Sequence, residues 1–160
     1  MLFSSVFTAL YALICVFLYN YAIDREYLKP KLKLFPFFAA AALVLRLYLA
    51  YVNPGHKTDM SCFSAWADML YKDGFAAFYS SDAFTDYPPG YMYILRLVGW
   101  AKSLYPYTAG QTNVIIKAPA VLCDIAMGTI VYNEAKKYTP FEKAQLLGIM
   151  YLFNPAAIID

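Results

Sequence analysis

Apolar residues come along this chain in long uninterrupted blocks rather than in strict alternation. Five blocks, at roughly 2–23, 34–52, 88–105, 113–133 and 144–159, are separated by polar connections. Residues 1–23 carry no charge at all, and about 20 such residues wound as a helix cross the roughly 30 Å hydrocarbon layer of a bilayer. The longest polar stretch lies between the second and third blocks, at 53–91, and reads NPGHKTDMSCFSAWADMLYKDGFAAFYSSDAFTDYPPGY. Within it, residues 60–72 follow a helical period: Phe63, Trp66 and Leu70 fall on one face, and Ser64, Asp68 and Lys72 gather opposite. Trp and Phe on one face of a helix beside a membrane predict that it lies flat in the interface. Gly74 ends it with the usual preference of glycine past a C-cap. Ser80, Ser81 and Asp82 read as a turn, and Pro88 and Pro89 hold the chain extended before the next block.

Composition sharpens this into a membrane protein. Hydrophobic residues make up 61% of the chain and charged ones 15%, against roughly 45–50% and about 25% in soluble domains. A soluble core has no room for that much apolar surface. A cleaved signal peptide competes for the first block, but nothing basic precedes Leu2, and the bulky Tyr19, Asn20 and Tyr21 stand where small residues would mark a cleavage site. The first block therefore reads as a retained span. The 16 Tyr and 12 Phe suit interfacial aromatic belts. Cys15, Cys62 and Cys123 are too few and too scattered for a disulfide framework or a CxxC metal site. A net charge of +2 selects no acidic partner, and no nucleic-acid motif is present.

Charge placement sets the orientation. Arg25, Lys29, Lys31 and Lys33 form the densest basic cluster near any block end, which puts 24–33 in the cytoplasm and 53–91 outside. Strict alternation would then carry Glu134, Lys136 and Lys137 outside as well, against the same rule. Either the third block is re-entrant or the 106–112 connection is not cytoplasmic, and the sequence leaves both open. The fold class that follows is all-α: a polytopic helical membrane protein whose extracytoplasmic loop carries an interfacial amphipathic helix. Residues 1–33 make an extra N-terminal span with a basic cytoplasmic loop, and 34–160 make a membrane module expected to be the N-terminal part of something longer.

Several residues could carry chemistry. Asp59, at a loop end beside the membrane, could serve as a general base toward an acceptor hydroxyl or orient a divalent cation; as a plain alternative it N-caps the helix that follows. Asp86 is held by the prolines that follow Tyr87, or simply closes a turn. His56 could bind a phosphate or a substrate hydroxyl, or be solvated. Arg96 and Lys117, in apolar surroundings, could neutralise a phosphate, or could snorkel to ordinary phospholipid. Lys117 and Asp124 stand two turns apart on one helix face, so they form an internal polar track or pair with other helices. Arg46 is a further charge inside a block, and such charges usually face a protein interior or a water-filled cavity. Asn154 followed by Pro155 suggests a helix broken where protein or water meets its freed backbone groups.

The pieces GHKTDMSCFSAWADMLYKDG, FYSSDAFTDYPPGYMYIL, IIKAPAVLCDIAMGTIVY and LFNPAAIID, in this order after an apolar span, resemble the GT-C superfamily of membrane glycosyltransferases, particularly its mannosyl- and glucosyltransferase-like branches. The resemblance covers roughly 34–160. It implies a many-helix enzyme of the bacterial plasma membrane, which takes a hexose from a polyprenyl-phosphate sugar and passes it with inversion to a glycan, lipid or protein acceptor of the cell envelope. It implies Asp59 as catalytic base with Asp86 as the second acidic residue, and Lys117 as a lipid-phosphate contact. Arg96, His56 and Tyr87 join Lys117 as candidate donor-binding groups. Many members work without a metal and some use a divalent cation, so the resemblance makes no cofactor certain and leaves a divalent cation open, and no metal-ligand cluster decides the matter here. Members have more spans than these, so this stretch alone is expected to be inactive. The competing expectation is a non-enzymatic transporter or lipid-carrier-binding protein in which Arg96, Lys117 and Asp124 line a pathway.

Overall fold

The computed structural model describes residues 2–24, 33–53, 55–80, 85, 87–155 and 158, with the α1 side chains described over 9–20. The basic stretch 25–32 and the candidate Asp86 lie outside the described residues. The described residues form seven helices and no strand. The helices are α1 (Leu2–Asp24), α2 (Phe35–Val52), α3 (Lys57–Lys72), α4 (Gly74–Ser80), α5 (Pro89–Leu104), α6 (Ala109–Tyr138) and α7 (Phe141–Leu152). They divide into two compact units, Met1–Arg46 with Val121–Asp160, and Leu47–Ala120. The divisions fall within α2 and α6.

Among the described residues, α2 and α6 are long and apolar enough to cross a membrane, with mean hydropathy of 1.8 and 1.9. The core helix of a water-soluble protein hides its apolar residues, whereas only 22% and 17% of these two windows are buried. In α1 the described side chains are apolar too, and Leu13 and Phe17 stand exposed. α5 is only 16 residues long, below the usual minimum of about 17 for a span, and it carries Arg96 and Lys102. The fifth expected block also shortens. Instead of running to 159, α7 stops at Leu152, ahead of Asn154 and Pro155.

In the first unit, Phe35 stacks on Tyr132 at 4.3 Å, and farther along α2, Arg46 Nε lies 3.6 Å from Asp124 Oδ2. Residue numbers rise along α2 as they fall along α6, so the two helices run antiparallel. Lys33, before α2, and Lys136 and Lys137, in the last turn of α6, therefore share one end. α7 instead runs parallel to α2, and the two cap each other. Gln145 Oε1 accepts hydrogen bonds from the backbone N–H groups of Leu34 at 2.7 Å and Phe35 at 3.1 Å, two of the donors that the start of α2 leaves free. In return Arg46 Nη1 donates to the Leu152 carbonyl at 2.6 Å, where α7 runs out. Both side chains are buried. Gly148 makes the approach possible, since a Cβ there would stand 2.7 Å from the Phe35 ring and 2.8 Å from Tyr132 Cβ. The Tyr11 hydroxyl donates to the Met150 carbonyl and ties α1 to α7.

In the second unit α3 packs on α5 along an apolar seam. Trp66, Ala67 and Leu70 meet Met92, Leu95 and Val98, and Phe78 and Ile116 complete the core. The seam is close because Gly99 has no side chain: a Cβ there would collide with the Ala67 carbonyl and lie 2.8 Å from Tyr71 Cβ. Polar contacts fix the register. Lys102 Nζ donates to Ser64 Oγ at 2.8 Å and to Asp68 Oδ2 at 2.7 Å. This changes the expected use of the amphipathic helix. Its Trp66–Leu70 face is covered by the chain's own α5 and α4 rather than laid on lipid, because α5 presents a complementary stripe at helical spacing.

Two outcomes are expected. Arg46→Met keeps most of the side-chain volume but strips the Leu152 carbonyl and Asp124 of their partner; a loss of about 2 kcal/mol should appear as a lower thermal unfolding midpoint in detergent, and an unchanged midpoint would remove the cap from the account. Gly99→Val overfills the α3–α5 seam and should cost about 1–3 kcal/mol in the same measurement, whereas Gly90→Val, at a glycine with open space around it, should cost less.

Candidate functional site at the start of helix α3

The chain leaves α2 through a tight polar turn. Asn53 Oδ1 accepts from the Gly55 N–H at 3.1 Å, the side-chain mimic of a backbone turn. Gly55 takes φ of 77°, which glycine adopts without strain. His56 follows with extended backbone, φ −72° and ψ 118°, as the N-cap of α3, and its carbonyl opens the helical ladder by accepting from the Met60 N–H at 3.1 Å. The helix thus begins at Lys57, ahead of the expected 60. Asp59 is not the cap; it lies in the first turn, where a carboxylate meets the positive end of the helix dipole. Its Oδ1 lies 3.4 Å from His56 Nδ1, with both side chains largely exposed, 62% for Asp59 and 72% for His56.

Lys117 belongs to the same place. Its Nζ donates to the Asn53 carbonyl at 3.1 Å, and it hangs so near the turn that a Cβ on Gly55 would be 3.3 Å from it. The residue before it, Ile116, accepts at its carbonyl from the Tyr91 hydroxyl at 2.9 Å, which ties the start of α5 to α6 next to Lys117. Tyr87, just ahead of the two prolines, rests its ring 5.5 Å from Phe63 and 5.5 Å from Trp66. Phe63 is one turn beyond Asp59 on the same face of α3. The tyrosine of the DYPPG corner is thereby an aromatic packing residue on the face that carries Asp59. Asp86, its neighbour in sequence, lies outside the described residues.

Arg96 does not join this group. Its guanidinium carbon sits 5.4 Å from the Phe75 ring centroid, and Phe75 follows the C-terminal end of α3, whereas Gly55 and His56 precede its start. A helix of 16 residues is about 24 Å long, so the grouping of Arg96 with Lys117, His56 and Tyr87 separates into two locations. Nor do Lys117 and Asp124 form a track between themselves: Lys117 is used by Asn53, and Asp124 faces Arg46. Among the described residues no three His, Cys, Asp or Glu side chains gather to hold a metal ion; Asp59 has His56 beside it.

Sequence reading missed Lys102, which latches α5 onto Ser64 and Asp68, and the joint use of Arg46 and Gln145. Arg46 stood out as a charge in an apolar block, but its acceptor is a backbone carbonyl 106 residues away. A carbonyl leaves no trace in a sequence.

Comparison with models of protein families, with curated proteins and with solved structures finds no match to this chain.

Proposed function

We propose that the chain is a polytopic membrane protein and works as an inverting glycosyltransferase of the GT-C type, moving a hexose from a polyprenyl-phosphate donor to an acceptor outside the cytoplasm. One observation supports the site above the others: Lys117 Nζ reaches Asn53 and Gly55, and the His56–Asp59 pair follows directly on Gly55. The turn 53–56 brings a carboxylate for the acceptor and a cation for the leaving phosphate into one neighbourhood. Asp59 takes the proton of the acceptor hydroxyl. The acceptor oxygen attacks the anomeric carbon from the face opposite the phosphate; the bond from that carbon to the phosphate oxygen breaks, and polyprenyl phosphate leaves with its added charge balanced by Lys117. His56 orients the Asp59 carboxylate.

The helix directions bear on the topology. With α2 and α6 crossing the membrane antiparallel, Lys33 and the pair Lys136 and Lys137, at one end of the two helices, both face the cytoplasm. On this reading the connection 106–112 stays outside, which accords with the same charge rule. α7 would enter from the cytoplasmic side and stop inside the layer at Leu152, where Arg46 meets its last carbonyl.

Transfer of labelled hexose from polyprenyl-phosphate donors, measured in membranes containing the protein, should fall about 10²–10⁴-fold in Asp59→Asn, the usual worth of a positioned base, with membrane insertion unchanged. Normal turnover in that variant would remove Asp59 from the mechanism. For the topology, single cysteines introduced at Lys57 or Thr108 in a cysteine-free background should react with an impermeant maleimide in intact cells, and one at Lys137 should react only after the cells are opened. Labelling of Lys137→Cys in intact cells would reverse the assignment.

A further inference from the structure

α5 has two faces that differ in what covers them. Met92, Leu95, Val98 and Gly99 are buried on the inner one, whereas Tyr93, Leu97, Trp100 and Leu104 recur at helical spacing on the outer one, each at least half exposed. Tyr71, from the last turns of α3, and Phe75 of α4 close this stripe into a groove of about 450 Å³, lined also by Tyr93, Arg96, Leu97 and Trp100. That volume lies within the range of about 300–1,000 Å³ in which small-molecule sites fall. Phe75 and Tyr93 touch, with ring centroids 4.6 Å apart, and Arg96 lies over the Phe75 ring.

Arg96 is the one charged side chain lining this groove, and no carboxylate among the described residues pairs with it. The ion pairs among the described residues are Arg46 with Asp124, His56 with Asp59, Lys102 with Asp68, and Lys137 with Glu134. Lys102, farther along the same helix, is thus already used. The guanidinium lies over the Phe75 ring at 5.4 Å, and its N–H donors suit the oxygens of a phosphate. A lone cation on an aromatic and aliphatic groove fits an anion carried on an apolar body. Tyr and Trp are also the side chains that settle at headgroup depth.

The geometry points to a binding site for an anionic phospholipid in this groove, its phosphodiester on Arg96 and an acyl chain along Leu97 and Trp100. The site rests on the reading of the chain as a membrane protein, and it is separate from the Lys117–Asp59 end of α3. A zwitterionic lipid fits less well, because its choline would lie beside Arg96 with no carboxylate in the groove to receive it.

The test is photo-crosslinking of the protein in nanodiscs with phosphatidylglycerol and phosphatidylcholine that carry the same photoreactive acyl chain, with labelled peptides mapped by mass spectrometry. Peptides bearing Phe75 and 93–100 should take about fivefold more phosphatidylglycerol, the ratio that roughly 1 kcal/mol per basic residue at an anionic surface gives. Arg96→Gln should bring the two lipids to parity at those peptides, and Lys117→Gln should leave the preference intact. Equal labelling of the wild-type groove, or a preference that survives Arg96→Gln, would overturn the site; so would a preference for phosphatidylcholine, which would assign the rings to choline. Because labelling is read and not sugar transfer, an inactive transferase with a lipid-selective groove and an active one without it give different results.

Discussion

A helix that ends among apolar side chains leaves carbonyls with no water to meet, and the first unit is arranged around that constraint. Arg46 Nη1 takes the Leu152 carbonyl, and its Nε is drawn to Asp124 at 3.6 Å. One side chain from the middle of α2 therefore terminates α7 and holds α6. The return contact comes from Gln145 of α7, whose oxygen receives two N–H groups at the start of α2. Each helix supplies what the other's end lacks, which sets their parallel direction and their register together. A guanidinium serves this role well because one of its donors meets a carbonyl while its fixed positive charge stands beside a carboxylate. Neither its Nε nor its Nη2 has a hydrogen-bond partner, so only the attraction to Asp124 at 3.6 Å and the bond to the Leu152 carbonyl offset the burial of the charge.

The second unit follows a different logic, in which small residues and aromatic rings do most of the positioning. Ala67 and Gly99 let α3 and α5 approach closely, and Lys102 bridges the seam from its polar flank. With α3 fixed along its length, its two ends become separate chemical environments. At the start, a turn shaped by Asn53 and Gly55 gathers His56, Asp59 and Lys117. At the other end, Arg96 lies on a ring in a groove of aromatic side chains.

The helical content was legible from period and apolar block length, because those patterns are local. The amphipathic stretch 60–72 is a helix, extended backward to Lys57, and Gly74 takes the left-handed conformation expected past a helix end, with φ of 79°. Proximity of His56 to Asp59 could also be expected from spacing at a helix start. The joining of Lys117 to that turn could not, since it depends on how α6 passes the end of α2. Arg96 and Lys117 looked alike in sequence, two cations in apolar surroundings, yet they lie at opposite ends of α3.

Sequence alone determined that this chain is helical, that α2 and α6 are apolar enough for a bilayer, and that its longest polar stretch is 53–91. Those properties depend on composition and on periods of a few residues, which neighbours along the chain settle among themselves. Tertiary structure decided that α5 serves as the partner of α3, that α7 stops at Leu152 under Arg46, and which of the scattered charges meet. Each of these rests on satisfying a backbone carbonyl, a lone cation or an apolar face with a group far away in sequence, and such partners are chosen only when the helices pack.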